Sequence, residues 1–252
     1  MKVTLITVCL NSESTIADTV ESVLQQSYKS VEHIIFDGGS TDRTLEILKA
    51  YGNQIMLIEG KDSSIFNAMN QAIGHASGEV VGIINSDDFY AHPQVLENVV
   101  DLFKAKGTDS VYGDLHYVYK NNPGKVFRNW RSGHFERSKF KYGWTLPHPT
   151  FFVKKHVYDR YGLFDDSFEI SADYGLVIKF LYKHQITTAY LPQVLVKMRT
   201  GGNSDGGFIR RMRGLMEDYR AWRANGLSVP FYTVPLKPLR KIPQLIFTKT
   251  IL

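Results

Sequence analysis

The run VTLITVCLNSESTIADTVESVLQQSYKSVEHIIFDGGSTD, residues 3–42, holds a complete strand–helix–strand unit. From Val3 to Leu10 the residues are apolar apart from Thr4 and Thr7, the pattern of a strand covered on both faces. Ile16, Val20, Val23 and Leu24 then recur at helical spacing within 15–26, and His33–Phe36 resumes a strand that stops at Asp37-Gly38-Gly39. The alternation continues with a helix over 43–51, a strand over 55–58, a helix over 65–76 and a strand over 80–84. Pro93 opens a helix over 94–106, in a first turn where its missing N–H is no loss. Strands alternating with helices at this spacing predict an α/β fold with a doubly wound, mostly parallel sheet.

Beyond Gly107 the pattern changes. Short aromatic-rich strands are expected at 111–112, 115–119 and 126–130, with Asn121-Asn122-Pro123-Gly124 as a turn. A strand at 151–154, a helix over 172–183, strands near 188–190 and 194–199, a glycine-rich loop over 201–207 and a helix over 208–224 follow. Pro230, Pro235, Pro238 and Pro243 keep the tail from being one continuous helix. The chain thus divides into a body, residues 1–209 with halves at 1–107 and 108–209, and a C-terminal segment 210–252.

With 252 residues, 43% hydrophobic and 22% charged, the chain has a globular composition far from that of a disordered one. Its single cysteine excludes an intrachain disulfide, fits a reducing compartment and, inside a strand, reads as core packing. No apolar stretch approaches the roughly 20 residues of a spanning helix. The run from Val3 to Leu10 passes directly into polar residues without a cleavable site, so a cytoplasmic protein, soluble or peripheral on the inner membrane face, is expected. The net charge of +5 is uneven: from Arg210 onward nine Lys/Arg face two acids, leaving the first 209 residues at −2. A nucleic-acid partner is therefore not expected. In the tail, Lys237, Arg240 and Lys241 alternate with Leu236, Leu239, Leu245, Ile246 and Phe247, which fits an anionic membrane surface.

Ligands of an open α/β sheet sit at the carboxyl ends of its strands. Here those ends carry Asn11-Ser12, Asp37-Gly38-Gly39-Ser40-Thr41-Asp42, Gly60-Lys61-Asp62 and Asn85-Ser86-Asp87-Asp88. Neither a GxGxxG fingerprint nor a P-loop occurs, which excludes the phosphate cradles of dehydrogenases and P-loop enzymes. An acidic crevice accommodates a nucleoside diphosphate when a divalent cation lies between them. Asp87-Asp88 accordingly reads either as cation ligands or as a turn and cap pair. Asp37 either shapes a tight turn or accepts from a base or ribose.

Taken in order, Thr7-Val8-Cys9-Leu10-Asn11, the Asp37 loop, Asp62 with Ala68-Met69-Asn70, Gly78-Glu79 and Asn85-Ser86-Asp87-Asp88 resemble family 2 glycosyltransferases. The resemblance implies a GT-A fold, Rossmann-like with a smaller acceptor-side region, and inverting transfer of a sugar from a nucleotide-sugar, a UDP-sugar first of all. It implies that Thr7, Val8, Asn11, Asp37, Gly38 and Asp62 lie along the nucleoside and that Asp87 meets the ribose or sugar. Asp88 would bind Mn2+ or Mg2+ across the diphosphate, and Arg199 and Ser204 match a loop that folds over it. Ser64 and Asn67 depart from the pattern, standing where many relatives carry Gly and Asp.

Inverting transfer also needs a base for the acceptor hydroxyl. Asp173, opening the helix over 172–183, is by itself an ordinary dipole-complementing cap. The resemblance makes it the catalytic base, with Asp165, Asp166 and Glu169 as lesser candidates nearby. Trp144 and His148 match the acceptor side. The resemblance implies metal-dependent transfer to a lipid-linked saccharide in bacterial surface polysaccharide synthesis, and the missing Q-x-x-R-W motif and spanning helices of the processive relatives imply that one sugar is added. A nucleotidyltransferase would carry a glycine-rich basic loop where Thr7–Ser12 has neither glycine nor base. A non-catalytic nucleotide-sugar-binding module would have little use for Asp37, Asp88 and Asp173 together.

Overall fold

The structure is a computed structural model that describes residues 1–201, 207–241 and 244. β1 (Val3–Cys9) is buried along its whole length between β2 (Val31–Asp37) and β4 (Val80–Ile83), both parallel to it. β3 (Met56–Glu59) extends the sheet from β2, again parallel. Alternation divides β1 between two faces. Ile6 and Val8 pack with Phe66, Met69 and Ile73 of α3 (Ile65–Gly74). Cys9 packs with Ile16 and Val20 of α1 (Ile16–Leu24) and Leu48 of α2 (Thr44–Lys49). Val3 and Leu5 meet Val99 and Phe103 of α4 (Val95–Lys106), which stops at left-handed Gly107, φ +64°. The register sets Cys9 beside Asp37 and Ile6 beside Ile83, so the carboxyl ends of β1, β2 and β4 open on one edge.

Beyond β4 the sheet is mixed. β8 (Phe152–Lys154) runs antiparallel between β4 and β6 (Ser110–Tyr119). β6 pairs in parallel with β9 (Thr188–Arg199), and β9 carries β5 (Phe89–Tyr90) antiparallel on its other side. The end of β9 is thereby brought against the residues that follow Asp88.

Where short strands were expected in pairs, β6 and β9 each run unbroken. Their register slips between Tyr112 and Asp114, a bulge that lets β9 continue past Pro192 without its ladder N–H. The hairpin reverses at Lys120-Asn121, and β7 (Asn122–Trp130) takes up Pro123 and Gly124 in an irregular register. α5 (Lys155–Tyr161) leads to α6 (Ala172–Val177), which widens into a π-helical stretch, Ile178–Lys183. After α7 (Phe208–Ala224), a short helix α8 (Thr233–Leu239) forms in the proline-rich tail, with Pro235 in the first turn. α8 docks on the body and on α7: the Thr233 hydroxyl donates to the Lys141 carbonyl at 2.6 Å, and Lys237 pairs with buried Asp218 of α7 at 2.7 Å.

Candidate functional site

The open edge is tied together from the backbone up. Asn11 follows β1 in the left-handed region, φ 51°, a conformation that needs local support in a non-glycine residue. Its carboxamide oxygen accepts the Thr41 N–H at 2.9 Å and its own N–H donates to the Ser40 hydroxyl at 2.9 Å. The Ser12 and Ser86 hydroxyls lie 3.0 Å apart, joining the ends of β1 and β4.

Asp37 is fully buried, and its oxygens accept from the Gly39 N–H (3.0 Å), the Ser40 N–H (2.8 Å), the Ser40 hydroxyl (2.5 Å) and the Cys9 thiol (3.5 Å). It shapes the loop, in place of the nucleoside contact expected of it. Burial, and then Asp37, push the Cys9 thiol far up, which makes it inert as a nucleophile. The exposed carboxylate at this level is Asp62. An atom added as Cβ on Gly38 would stand 2.5 Å from Asp62 Oδ2, so a larger residue here makes that exposed carboxylate shift from its place over the loop. Burial, and then Asp37, raise the Asp62 carboxyl above its ordinary range.

Thr7 and Val8 turn their side chains inward. Thr7 is fully buried with its hydroxyl 3.0 Å from His33 Nε2, and Val8 belongs to the core, leaving main-chain atoms as what they offer a ligand.

The paired acids after β4 differ sharply. Asp88 is fully buried, with Oδ2 accepting from Asn85 Nδ2 at 2.8 Å and Oδ1 from the Arg199 N–H at 3.3 Å. Burial, and then Asp87, raise its carboxyl well above the usual range. A group with both oxygens engaged and no exposure does not fit the cation role expected of it. Asp87 is half-buried; burial raises it while the Arg199 and Lys120 cations draw it down. Arg199 is corrected as well. It is 7% exposed, donates to the Asp87 carbonyl at 2.7 Å and to Asp18, and stacks its guanidinium 4.7 Å from the Phe89 ring. It braces the acidic turn from behind instead of covering a diphosphate. Ser204 lies outside the described residues.

Asp173 stands partly exposed in the first turn of α6, with Oδ1 accepting the Tyr174 N–H at 2.7 Å. Its field reaches His148, whose imidazole burial keeps below its ordinary value while Asp173 draws it up. Tyr117 feels both the acidic turn after β4 and α6: burial raises its phenol, the Arg128 guanidinium 3.7 Å from its ring lowers it, and Asp88 and Asp173 raise it. Asp173 is thus within reach of His148 and, through Tyr117, of the acidic turn after β4, while Asp62 and Asp87 stand at the strand ends. Trp144 is 6% exposed, packs edge-on against Phe140 and Tyr112, and donates its indole N–H to the Ser132 carbonyl at 2.9 Å. It is a core residue and has no free face for a sugar. Sequence reasoning missed Lys120 and Asp18. Lys120 carried no signal of its own, standing just before the expected turn at 121–124, and Asp18 was indistinguishable from any acid in a helix's first turn.

Among the described residues no three His, Cys, Asp or Glu side chains cluster as a ready-made metal site. A cation here would be completed by phosphate oxygens and water around one or two carboxylates, the usual arrangement for Mg2+ with a phosphorylated substrate.

An uncharacterized glycosyltransferase of Rickettsia typhi is 26% identical over 200 residues, 75% of this chain and 61% of that protein. A PGL/p-HBAD biosynthesis glycosyltransferase of Mycobacterium bovis is 24% identical over 213 residues, covering 81% of this chain and 80% of that one. Among solved structures, S. aureus TarS in complex with UDP-GlcNAc superimposes with a TM-score of 0.66 at 18% identity, over 89% of this chain and 65% of that one. The mannosyltransferase PcManGT from Pyrobaculum calidifontis, in complex with GDP-Man and Mn2+, gives 0.65 at 17% identity, over 99% and 74%. The shared architecture is the GT-A fold. Residues 4–161, more than half of the sequence, match Glycosyl transferase family 2, and the chain belongs to that family.

Proposed function

We propose that this protein transfers one sugar, with inversion, from a UDP-sugar to a hydroxyl of a lipid-linked saccharide. The observation that carries the reading is that Tyr117 feels both Asp88, in the acidic turn after β4, and Asp173 of α6, in a chain of this family. Asp62 accepts from the base or ribose. Asp87 holds a divalent cation, Mn2+ or Mg2+, which when bound stabilises the negative charge of the departing diphosphate. Lys120 adds positive charge beside Asp87. Asp173 takes the proton from the attacking hydroxyl, and His148, whose imidazole burial holds below its ordinary value, lines the acceptor side.

Contact with an anionic bilayer is part of this reading. No helix among the described residues is long and apolar enough to cross a membrane. α8 is engaged with the body, so the surface favoured for lipid is the outer stripe of α7, where Ile209, Met212 and Met216 are exposed among Arg210, Arg211 and Arg213.

The test is a panel of UDP- and GDP-sugars assayed for binding and nucleotide release, with and without Mn2+. Asp173→Asn keeps volume and loses the proton acceptor, so turnover falls by roughly 10²–10⁴-fold while UDP affinity stays. Wild-type turnover in that variant, or full activity in EDTA, would sink the reading.

A further inference from the structure

Residues 169–175, which carry Asp173, take their geometry from α7. Glu217 Oε1 accepts the Glu169 N–H at 3.1 Å, and Oε2 accepts those of Ile170 and Ser171, both at 2.8 Å. The Ser171 hydroxyl donates to the Gly214 carbonyl at 3.3 Å, and Asn225 Nδ2 donates to the Gly175 carbonyl at 3.2 Å. Trp222, fully buried, donates its indole N–H to the Tyr174 hydroxyl at 3.1 Å. From α8, Lys237 Nζ stands 3.7 Å over the Tyr174 ring while donating to both oxygens of Asp218 at 2.7 and 2.8 Å.

This support is needed. α6 runs on into the π-helical stretch Ile178–Lys183, but at its open end Ser171 makes no side-chain cap. The amides just before and within a helix's first turn have no intrahelical acceptor. A carboxylate that takes three consecutive ones forms charge-assisted bonds, about twice as strong as neutral ones. Asp173 lies two residues beyond the last of them.

We infer that Glu217 is a positioning residue for Asp173, and that α7, with Lys237 of α8 behind it, holds the base at its working place. The inference rests on the reading of Asp173 as the base. A displacement of about 1 Å at a reacting group costs up to about 10²-fold in rate, so Glu217 would act on turnover and leave nucleotide affinity alone.

The experiment compares the full chain with Glu217→Gln, Lys237→Met, Lys237→Arg and Asp173→Asn. It measures UDP release from UDP-glucose, UDP-galactose and UDP-GlcNAc, UDP binding with Mn2+, and hydrogen exchange at the amides of 169–171. A glutamine offers one acceptor oxygen where three amides need two. Glu217→Gln should therefore speed exchange at 169–171 and lower kcat by about 10–100-fold, with KM for the donor and UDP affinity within about twofold. Faster exchange with wild-type kcat overturns the inference, as does a parallel loss of UDP affinity, which marks general unfolding. If Glu217→Gln does not fold, Lys237→Met decides: a lowered kcat restored by Lys237→Arg supports positioning, and a wild-type kcat refutes it. Wild-type release by Asp173→Asn would instead remove the base assignment, whereas an inactive Asp173→Asn beside a fully active Glu217→Gln would remove only the role given to α7.

Discussion

Asp87 and Asp88 are neighbours in sequence and opposites in environment, so replacing each should separate two functions. Asp88→Asn keeps shape at a site where both oxygens already accept hydrogen bonds; it should lower stability and leave Mn2+-dependent UDP binding in place. Asp87→Asn should fold normally and lose the enhancement of UDP affinity by Mn2+, about tenfold or more; calorimetric titration with and without the ion separates the two. At the end of β2, Gly38→Ala drives a methyl group against Asp62 Oδ2 and swings that carboxylate away. UDP affinity should fall about tenfold, about 1.4 kcal/mol. In an Asp62→Ala background the same change should cost almost nothing further, which a double-mutant cycle would record. The sequence made every one of these acids visible as a strand-end residue. Which of them faces in was not legible, because Asp88 is turned inward by Arg199, a partner 111 residues away.

At the scale of elements, the strands around β1 were readable because burial on both faces writes itself as an unbroken apolar run. The second half was not. β6 and β9 carry Asp114 and Pro192 in mid-strand, where local preference argues for a break, and only their mutual pairing across the bulge keeps each continuous. α8 was hidden by its prolines for a similar reason: its place is set by docking. Gly143 makes that docking visible. It has φ +75°, and an atom added as Cβ would lie 2.5 Å from the Lys237 nitrogen. Gly143→Ala should therefore cost about 1–3 kcal/mol from the left-handed backbone alone, and release α8 in addition. A lowered Tm together with protease cleavage between 225 and 240 would show it. A variant with unchanged Tm and intact tail would mean that the close approach relaxes freely.

For the molecule as a whole, stability against acid is set in part by a group away from the cleft. His33 is 3% exposed within the parallel sheet, and among the described residues its Nδ1 has no hydrogen-bond partner. Burial lowers its pKa from about 6.5 to about 3. Below about pH 6.5 the unfolded chain therefore takes up a proton that the folded chain refuses. The stability that neutral His33 retains is complete above that pH and drains away as pH falls toward 3, by at most about 1.4 kcal/mol per pH unit. His33→Gln should flatten this part of the Tm-against-pH curve, and an unchanged slope would assign the acid sensitivity elsewhere. The central sheet also contains the chain's one thiol, Cys9, sealed between β1 and α1 beside the carboxylate of Asp37. Alkylating reagents can reach it only when the nucleotide-binding half opens, so its labelling rate clocks that opening. A ligand that binds the folded form slows the clock in proportion to 1 + [L]/Kd. The protein thus carries its own sensor for its donor: incubated with candidate nucleotide-sugars one by one, it should be modified most slowly in the presence of the one it uses.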